Sequence, residues 1–173
     1  MNACYQWIES PVRRLLLVAG EDGLREVWFE NGRTEPVVDS AWRQGGACLR
    51  EPARQLSAYF AGELEQFDLT LRPQGTPFQL RVWQLLQDIP FGETISYGEL
   101  ARRCGNPAAS RAVGSANGSN PIPIIIPCHR VIGSNGKLTG FGGGLETKRW
   151  LLDFEKSHAG LFSQPRRRDA EAV

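Results

Sequence analysis

The order of apolar and polar positions divides the chain into a first part of β-type pattern and a second of helical period. In the first 40 residues, the β-type runs Arg14 to Ala19 and Gly23 to Phe29 are broken by Gly20-Glu21-Asp22-Gly23 and Asn31-Gly32. Both interruptions suit tight turns, so a small antiparallel sheet is predicted. From Glu51 to Glu63 the apolar positions Leu56, Tyr59 and Phe60 recur at helical spacing behind Pro52, with Gly62 near the end. One helix packed on that sheet is expected. Arg72-Pro73-Gln74-Gly75 then reads as a linker, and Thr76-Pro77 places a capping side chain before a proline at the first helical position. The expected division is an α/β domain over residues 1–72, a second domain over 73–158, and a disordered tail over 159–173.

The helix that opens at Thr76 carries Phe78, Val82, Leu85, Leu86 and Ile89 on one stripe and is stopped by Pro90 and Gly92. Ser96-Tyr97-Gly98-Glu99 fits a capping box at the head of a short helix through Arg103, with Gly105 in the left-handed position that ends it. Asn106-Pro107 starts the next helix, which runs from Pro107 to Asn117. Two short helices joined by Cys104-Gly105-Asn106 predict a helix-turn-helix whose second member is the recognition helix. That helix is built from small residues, Ala108, Ala109, Ala112, Gly114, Ser115 and Ala116, with Arg111 almost alone among them. Such a surface permits close backbone approach, either to a partner or to another helix.

Composition excludes more than it identifies. With 41% apolar and 23% charged residues over 173 positions, the chain has neither a disordered nor a fibrous composition. The opening segment lacks the basic-then-apolar order of a secretory signal, and the run Leu15 to Ala19 is too short to span a bilayer, so a cytoplasmic protein is expected. The net charge of +1 conceals an asymmetry: residues 1–71 hold seven Arg against eleven Asp and Glu, whereas residues 72–156 hold ten Lys and Arg against six Asp and Glu. A polyanion is favoured at the second region. The cysteines, Cys4, Cys48, Cys104 and Cys128, are scattered without a Cys-x-x-Cys pair, which suggests neither a disulfide scaffold nor a standard zinc module.

The candidate chemistry lies after the helix-turn-helix. Asn120-Pro121-Ile122-Pro123-Ile124-Ile125-Ile126-Pro127 is expected to be extended and buried, and it delivers Cys128-His129-Arg130. A cysteine attacks as thiolate, and near neutral pH a thiol of pKa about 8.5 is only slightly ionised, so a base must take its proton. His129 is adjacent, yet neighbouring residues in a strand face opposite sides; it needs a turn or a bridging water to reach the sulfur. A carboxylate on the far ring nitrogen would orient the imidazole, and Glu155, Asp153 and Glu146 on a predicted helix from Glu146 to Lys156 compete for that role. His158 reads as a surface residue. The same residue types would serve a cysteine hydrolase, and the helix-turn-helix would serve a transcription regulator.

Pro127-Cys128-His129-Arg130-Val131, preceded by Arg111-Ala112-Val113-Gly114 and Asn120-Pro121, resembles the O6-alkylguanine-DNA alkyltransferase family. The likeness runs from Phe78 through Phe91 to Tyr97 and on to glycines 142–144 and Trp150-Leu151-Leu152, about half the chain. It implies an α+β fold: a small ribonuclease H-like amino-terminal antiparallel sheet with a helix, then a mostly helical, winged helix-turn-helix-like domain. It also implies a stoichiometric, irreversible alkyl transfer to Cys128, with His129 taking the thiol proton through water, Glu155 completing the relay and Asn120 bracing the turn. Tyr97 would assist base rotation and protonation of the leaving guanine, and Arg111 would fill the gap in the duplex. By the same resemblance Gly98, Asn106 and Ser134 join them as DNA contacts, and Pro123, Val131, Phe141 and Gly142 form the base pocket. A tyrosine is common where Phe141 stands, and some relatives carry a larger apolar residue in place of Asn117. A non-catalytic lesion sensor of the same lineage would have tryptophan in place of Cys128. The implied partner is double-stranded DNA with the alkylated base flipped out, with no membrane, a monomer in solution and cooperative loading left open. No cofactor is expected, and no metal, because Cys4 and Cys48 lack histidine partners.

Overall fold

The computed structural model describes the backbone of residues 2–171 and the side chains of residues 2–159. Strand β1 (Cys4–Ile8) pairs antiparallel with β2 (Leu15–Gly20), and β2 pairs antiparallel with β3 (Gly23–Phe29) across the predicted turn. The two-residue β4 (Arg43–Gln44) joins β1 in parallel, so the sheet has the order β3-β2-β1-β4 and is not wholly antiparallel. β2 is buried throughout, and its residues alternate: Leu15, Leu17 and Ala19 enter the main core, whereas Leu16 and Val18 face the opposite side with Tyr5, Trp7, Trp28 and Trp42. Asn31 supplies the left-handed turn conformation expected of Asn31-Gly32 (φ 56°).

Helix α1 (Arg50–Phe60) turns Leu56 and Tyr59 into the core and stops before Gly62, whose φ of 75° suits the left-handed exit. Helix α2 (Pro77–Leu86) opens with the expected cap, in which the Thr76 side chain accepts from Gln79 N and the Gln79 side chain from Thr76 N. Its buried stripe differs from the expected one. Val82, Trp83 and Leu86 are buried, while Phe78 is exposed, because Trp83 occupies the seam and donates its Nε1 hydrogen to Ala116 O at 2.8 Å. That bond fastens α2 to α4 (Ser110–Gly118).

The helix-turn-helix is present. α3 (Tyr97–Arg103) follows β5 (Ile95–Ser96), and Gly105 makes the turn with φ 87°. The capping box expected at Ser96 is half made: Ser96 Oγ accepts from Glu99 N, whereas the Glu99 carboxylate pairs with Arg102 and Arg103. The second helix starts three residues late, since Asn106 Oδ1 accepts from Ala108 N and holds 106–108 in a turn. β6 (Val131–Ile132) pairs in parallel with β5, and the chain ends its described course in α5 (Leu145–Glu171). Where a disordered tail is expected from residue 159, the backbone of α5 continues to Glu171, and the side chains beyond Ala159 lie outside the described residues. One continuous core joins both halves, from Leu15 and Tyr59 to Val113, Ile126 and Leu151. Backbone bonds cross between the halves as well, from Val27 N to Pro121 O and from Arg33 N to Gly142 O, both 2.9 Å. Among the described residues, no helix is long and apolar enough to cross a membrane.

Candidate active site

The segment before Cys128 is buried as expected, but it is a tight turn and not an extended run. Pro121, Pro123 and Pro127 have no N–H to give to a strand ladder, so the backbone groups between them need another solution. Asn120 provides it. Its Nδ2 donates to Ile126 O (2.7 Å), its Oδ1 accepts from Ile122 N (3.0 Å), and Ile126 N closes the loop onto Ile122 O (2.9 Å). Ile124 is forced to φ 74°, a conformation that costs a β-branched residue energy and persists only where the surroundings impose it.

This turn feeds a short 3-10 helix, Cys128–Arg130, all of it buried. Cys128 is 6% exposed, and burial pushes its thiol up from the usual range against the opposing effects of the Asn120 hydrogen bond and the nearby Lys148 ammonium. At rest the sulfur therefore keeps its proton, and attack requires a base.

His129 is that candidate base. Its Nε2 lies 2.8 Å from Glu155 Oε2, and both side chains are almost fully buried. Burial lowers the imidazole from its ordinary value, and Arg130 and Lys148 add to that against the pull of Glu155. The neutral ring then donates from Nε2, leaving Nδ1 as the basic nitrogen. Nδ1 is buried with no hydrogen-bond partner among the described residues, so it makes no direct hydrogen bond to the Cys128 sulfur.

Of the competing carboxylates, Glu146 and Asp153 are exposed, and Glu155 alone reaches the histidine. Local pattern does not separate Glu155 from Glu146 and Asp153, but in the fold it is only 1% exposed. Arg130 grips it with two hydrogen bonds, Nε to Oε1 (2.8 Å) and Nη2 to Oε2 (2.9 Å), and donates from Nη1 to Ile89 O (2.6 Å). Tyr59 donates its hydroxyl to Oε2 at 2.6 Å. Burial opposes the charge on Glu155, but His129 and Arg130 outweigh it and hold the carboxyl well below its usual range.

Three residues of this site were not anticipated: Arg130, Tyr59 and Lys148. Arg130 carried a signal, since a cation next to a buried apolar run must find a counter-charge. In the sequence Tyr59 is one apolar position of an amphipathic helix, and nothing local distinguishes its hydroxyl. Lys148 is fully buried and donates to Val131 O (2.8 Å) and Thr139 O (3.0 Å), fastening the segment after Cys128 to the loop before α5.

The remaining candidates are distributed around this centre. Val131 and Phe141 are buried, Phe141 edge-on to Phe29 at 5.4 Å, and neither lines a described cavity. Pro123 and Gly142 do line one, of about 470 Å³, together with Asn120 and the amino-terminal residues Trp28 and Arg33; Cys128 is not on its wall. Tyr97 is half-buried at the start of α3, with its hydroxyl 2.8 Å from Thr139 Oγ1. Arg111, Gly98, Asn106 and Ser134 are exposed. Asn117 is buried and donates from Nδ2 to Cys128 O (3.3 Å). His158, expected on the surface, is half-buried, its ring 4.3 Å from that of Phe154. Among the described residues, no three or more His, Cys, Asp and Glu side chains gather in a way that could hold a metal ion.

Comparison with known proteins places these features in context. The family profile "6-O-methylguanine DNA methyltransferase, DNA binding domain" matches residues 77–157, and the profile of the same family's ribonuclease-like domain matches residues 3–73. A methylated-DNA–protein-cysteine methyltransferase of Methanosarcina acetivorans is 54% identical over 153 residues, covering 88% of this chain and 98% of that protein. A protein of the same name from Mycobacterium tuberculosis is 50% identical over 155 residues, covering 90% and 93%. The crystal structure of the Mycobacterium tuberculosis O6-methylguanine methyltransferase superposes with a TM-score of 0.83 at 49% identity, covering 90% of this chain and 94% of that one. The structure of the mycobacterial protein in complex with DNA superposes with a TM-score of 0.82 over the same shares.

Proposed function

The chain belongs to the 6-O-methylguanine DNA methyltransferase family, and from that premise we infer that it repairs DNA by moving an alkyl group from O6 of guanine to the sulfur of Cys128. Its activity is that of a methylated-DNA–protein-cysteine methyltransferase, and DNA is its partner. The carrying observation is the buried thiol of Cys128 beside a histidine whose far nitrogen is engaged by an ionised, doubly gripped carboxylate.

The chemistry follows from that arrangement. The Cys128 proton passes through a bridging water to Nδ1 of His129, since no direct hydrogen bond joins the two. Glu155 stabilises the imidazolium that forms. The thiolate attacks the alkyl carbon, a C–S bond forms as the C–O6 bond breaks, and the electron pair leaves on guanine, which is restored by taking up a proton. Tyr97, with a polar hydroxyl at the head of α3, delivers that proton. A thioether has no leaving group that water can displace under mild conditions, so the protein is consumed in one turnover. Asn120 holds the turn that presents the sulfur, and Lys148 anchors the backbone on its other side.

Chemistry on a stacked base needs the nucleotide outside the duplex, at a cost of a few kcal/mol. Arg111, exposed on the small-residue helix α4, enters the space the base leaves, while Gly98, Asn106 and Ser134 contact the strand. Pro123, Val131, Phe141 and Gly142 enclose the everted base, and the protein acts as a monomer. Arg111→Ala is expected to slow repair of duplex DNA by about tenfold or more while sparing the reaction of Cys128 with free O6-alkylguanine base, because only the duplex needs its gap filled. Equal losses on the two substrates would remove Arg111 from that role.

The test of the function itself is intact-mass analysis after incubation with duplex DNA containing O6-methylguanine. The expected result is one added methyl per chain, mapped to the peptide holding Cys128, with no further repair by the modified protein. Repair with no mass gain, or repeated turnover of esters by unmodified protein, would instead favour a hydrolytic thiol.

A further inference from the structure

We propose that Tyr59 is a positioning residue of the alkyl-transfer site: brought in from α1, its hydroxyl shares Glu155 Oε2 with His129 and so sets how strongly the carboxylate holds the imidazole. The inference rests on the reading of His129 as the base that serves Cys128.

Tyr59 lies 96 residues before Glu155, in the half of the chain that carries the sheet. Its ring is fully buried and packed against Phe60, Phe67, Phe91 and Phe154. A phenylalanine would meet that packing, and a buried hydroxyl costs stability unless it is paired. The partner it has is Glu155, at 2.6 Å. Burial, reinforced by the carboxylate, pushes the phenol well above its ordinary range, so it remains a hydrogen donor at any working pH and does not itself supply a proton to the reaction.

Oε2 accepts from Tyr59, from His129 Nε2 and from Arg130 Nη2, while Oε1 accepts from Arg130 Nε and, at 3.4 Å, from Gly92 N. The charged and titratable groups around the relay are therefore Arg130, His129, Tyr59, Lys148 and Cys128. Donors to one oxygen compete for its charge. Removing the phenolic donor leaves more negative charge facing His129, which favours the imidazolium and moves loss of the free base to higher pH. Through this bond the amino-terminal half of the chain reaches the chemistry without touching DNA or sulfur.

The experiment is the rate of methyl transfer from O6-methylguanine duplex as a function of pH, for wild type and Tyr59→Phe in the full chain, with DNA affinity and melting temperature measured alongside. In Tyr59→Phe the acid limb should move upward by about 0.5–1 pH unit, with DNA affinity unchanged. A ring-fluorinated tyrosine at position 59, a stronger donor that keeps the packing, should move the limb downward, and it serves if Tyr59→Phe does not fold. A wild-type limb on which both variants superimpose would overturn the role of Tyr59 alone. A wild-type rate with no acid limb would sink the relay reading, and this inference with it.

Discussion

Cys128→Ser is expected to bind alkylated duplex as wild type does and to transfer its alkyl group at least about 10⁴-fold more slowly. Serine is close to cysteine in size and shape, so the Asn120 turn and α4 should be undisturbed. What it loses is the low proton affinity and the polarisability of sulfur. His129 has to withdraw a proton from a thiol that burial has already made reluctant; an alcohol in the same place is beyond the reach of an imidazole that burial pushes toward its neutral form. The measurement is transfer of labelled methyl from DNA to protein, together with binding to the same duplex. Undiminished transfer by the serine variant would mean that another of the cysteines is the acceptor.

Glu155→Gln should be the most damaging near-isosteric change in the fold. It leaves the bulk in place but removes the charge that balances Arg130 and orients His129. Breaking one side of a buried ion pair costs about 3–5 kcal/mol, so a large drop in melting temperature is expected along with a loss of transfer of about 10²-fold or more. The same groups govern acid stability. His129 has its folded value lowered from 6.5, and Glu155 has its own lowered from 4.5, so in each case the unfolded chain binds protons more readily. Stability from His129 is complete above its unfolded value and is lost as pH falls from about 6.5 toward the folded value; that from Glu155 is lost at lower pH still, from about 4.5 downward. Wild-type melting temperature should therefore fall in two stages on acidification. The Gln variant, with its lower starting point, should lack the second. A variant as stable as wild type would show that Arg130 is balanced elsewhere.

Much of the architecture could be read from local pattern because it rests on local physics. The turn at Gly20–Gly23, the Thr76-Pro77 cap and the Gly105 stop follow from the conformational limits of those residues, and each stands where expected. The structure departs from local pattern where a second partner, near or distant, competes for the same group. Trp83 displaced Phe78 from the α2 seam because Ala116 O, 33 residues away, offered its indole a partner. Glu99 left its cap for Arg102 and Arg103. The prolines of 120–127 favour an extended run, whereas the Asn120 side chain satisfies the backbone of a turn.

At the site, the sequence by itself determined the candidate reactive pair and pointed to the family: Cys128, His129, Asn120 and Arg111 lie in contiguous motifs, and residue type at short spacing is enough to propose a nucleophile beside a base. Only the tertiary structure decided which carboxylate pairs with His129, that Arg130 balances it, that Lys148 fastens the segment after Cys128, and that Tyr59 of the amino-terminal half closes the network. Glu155, Asp153 and Glu146 are alike as residues on one helix, and what separates them is burial. Burial is a property of the assembled chain: desolvation makes an unpaired charge costly, so the fold must bring it partners from 25 and 96 residues away, and no local pattern records where they come from.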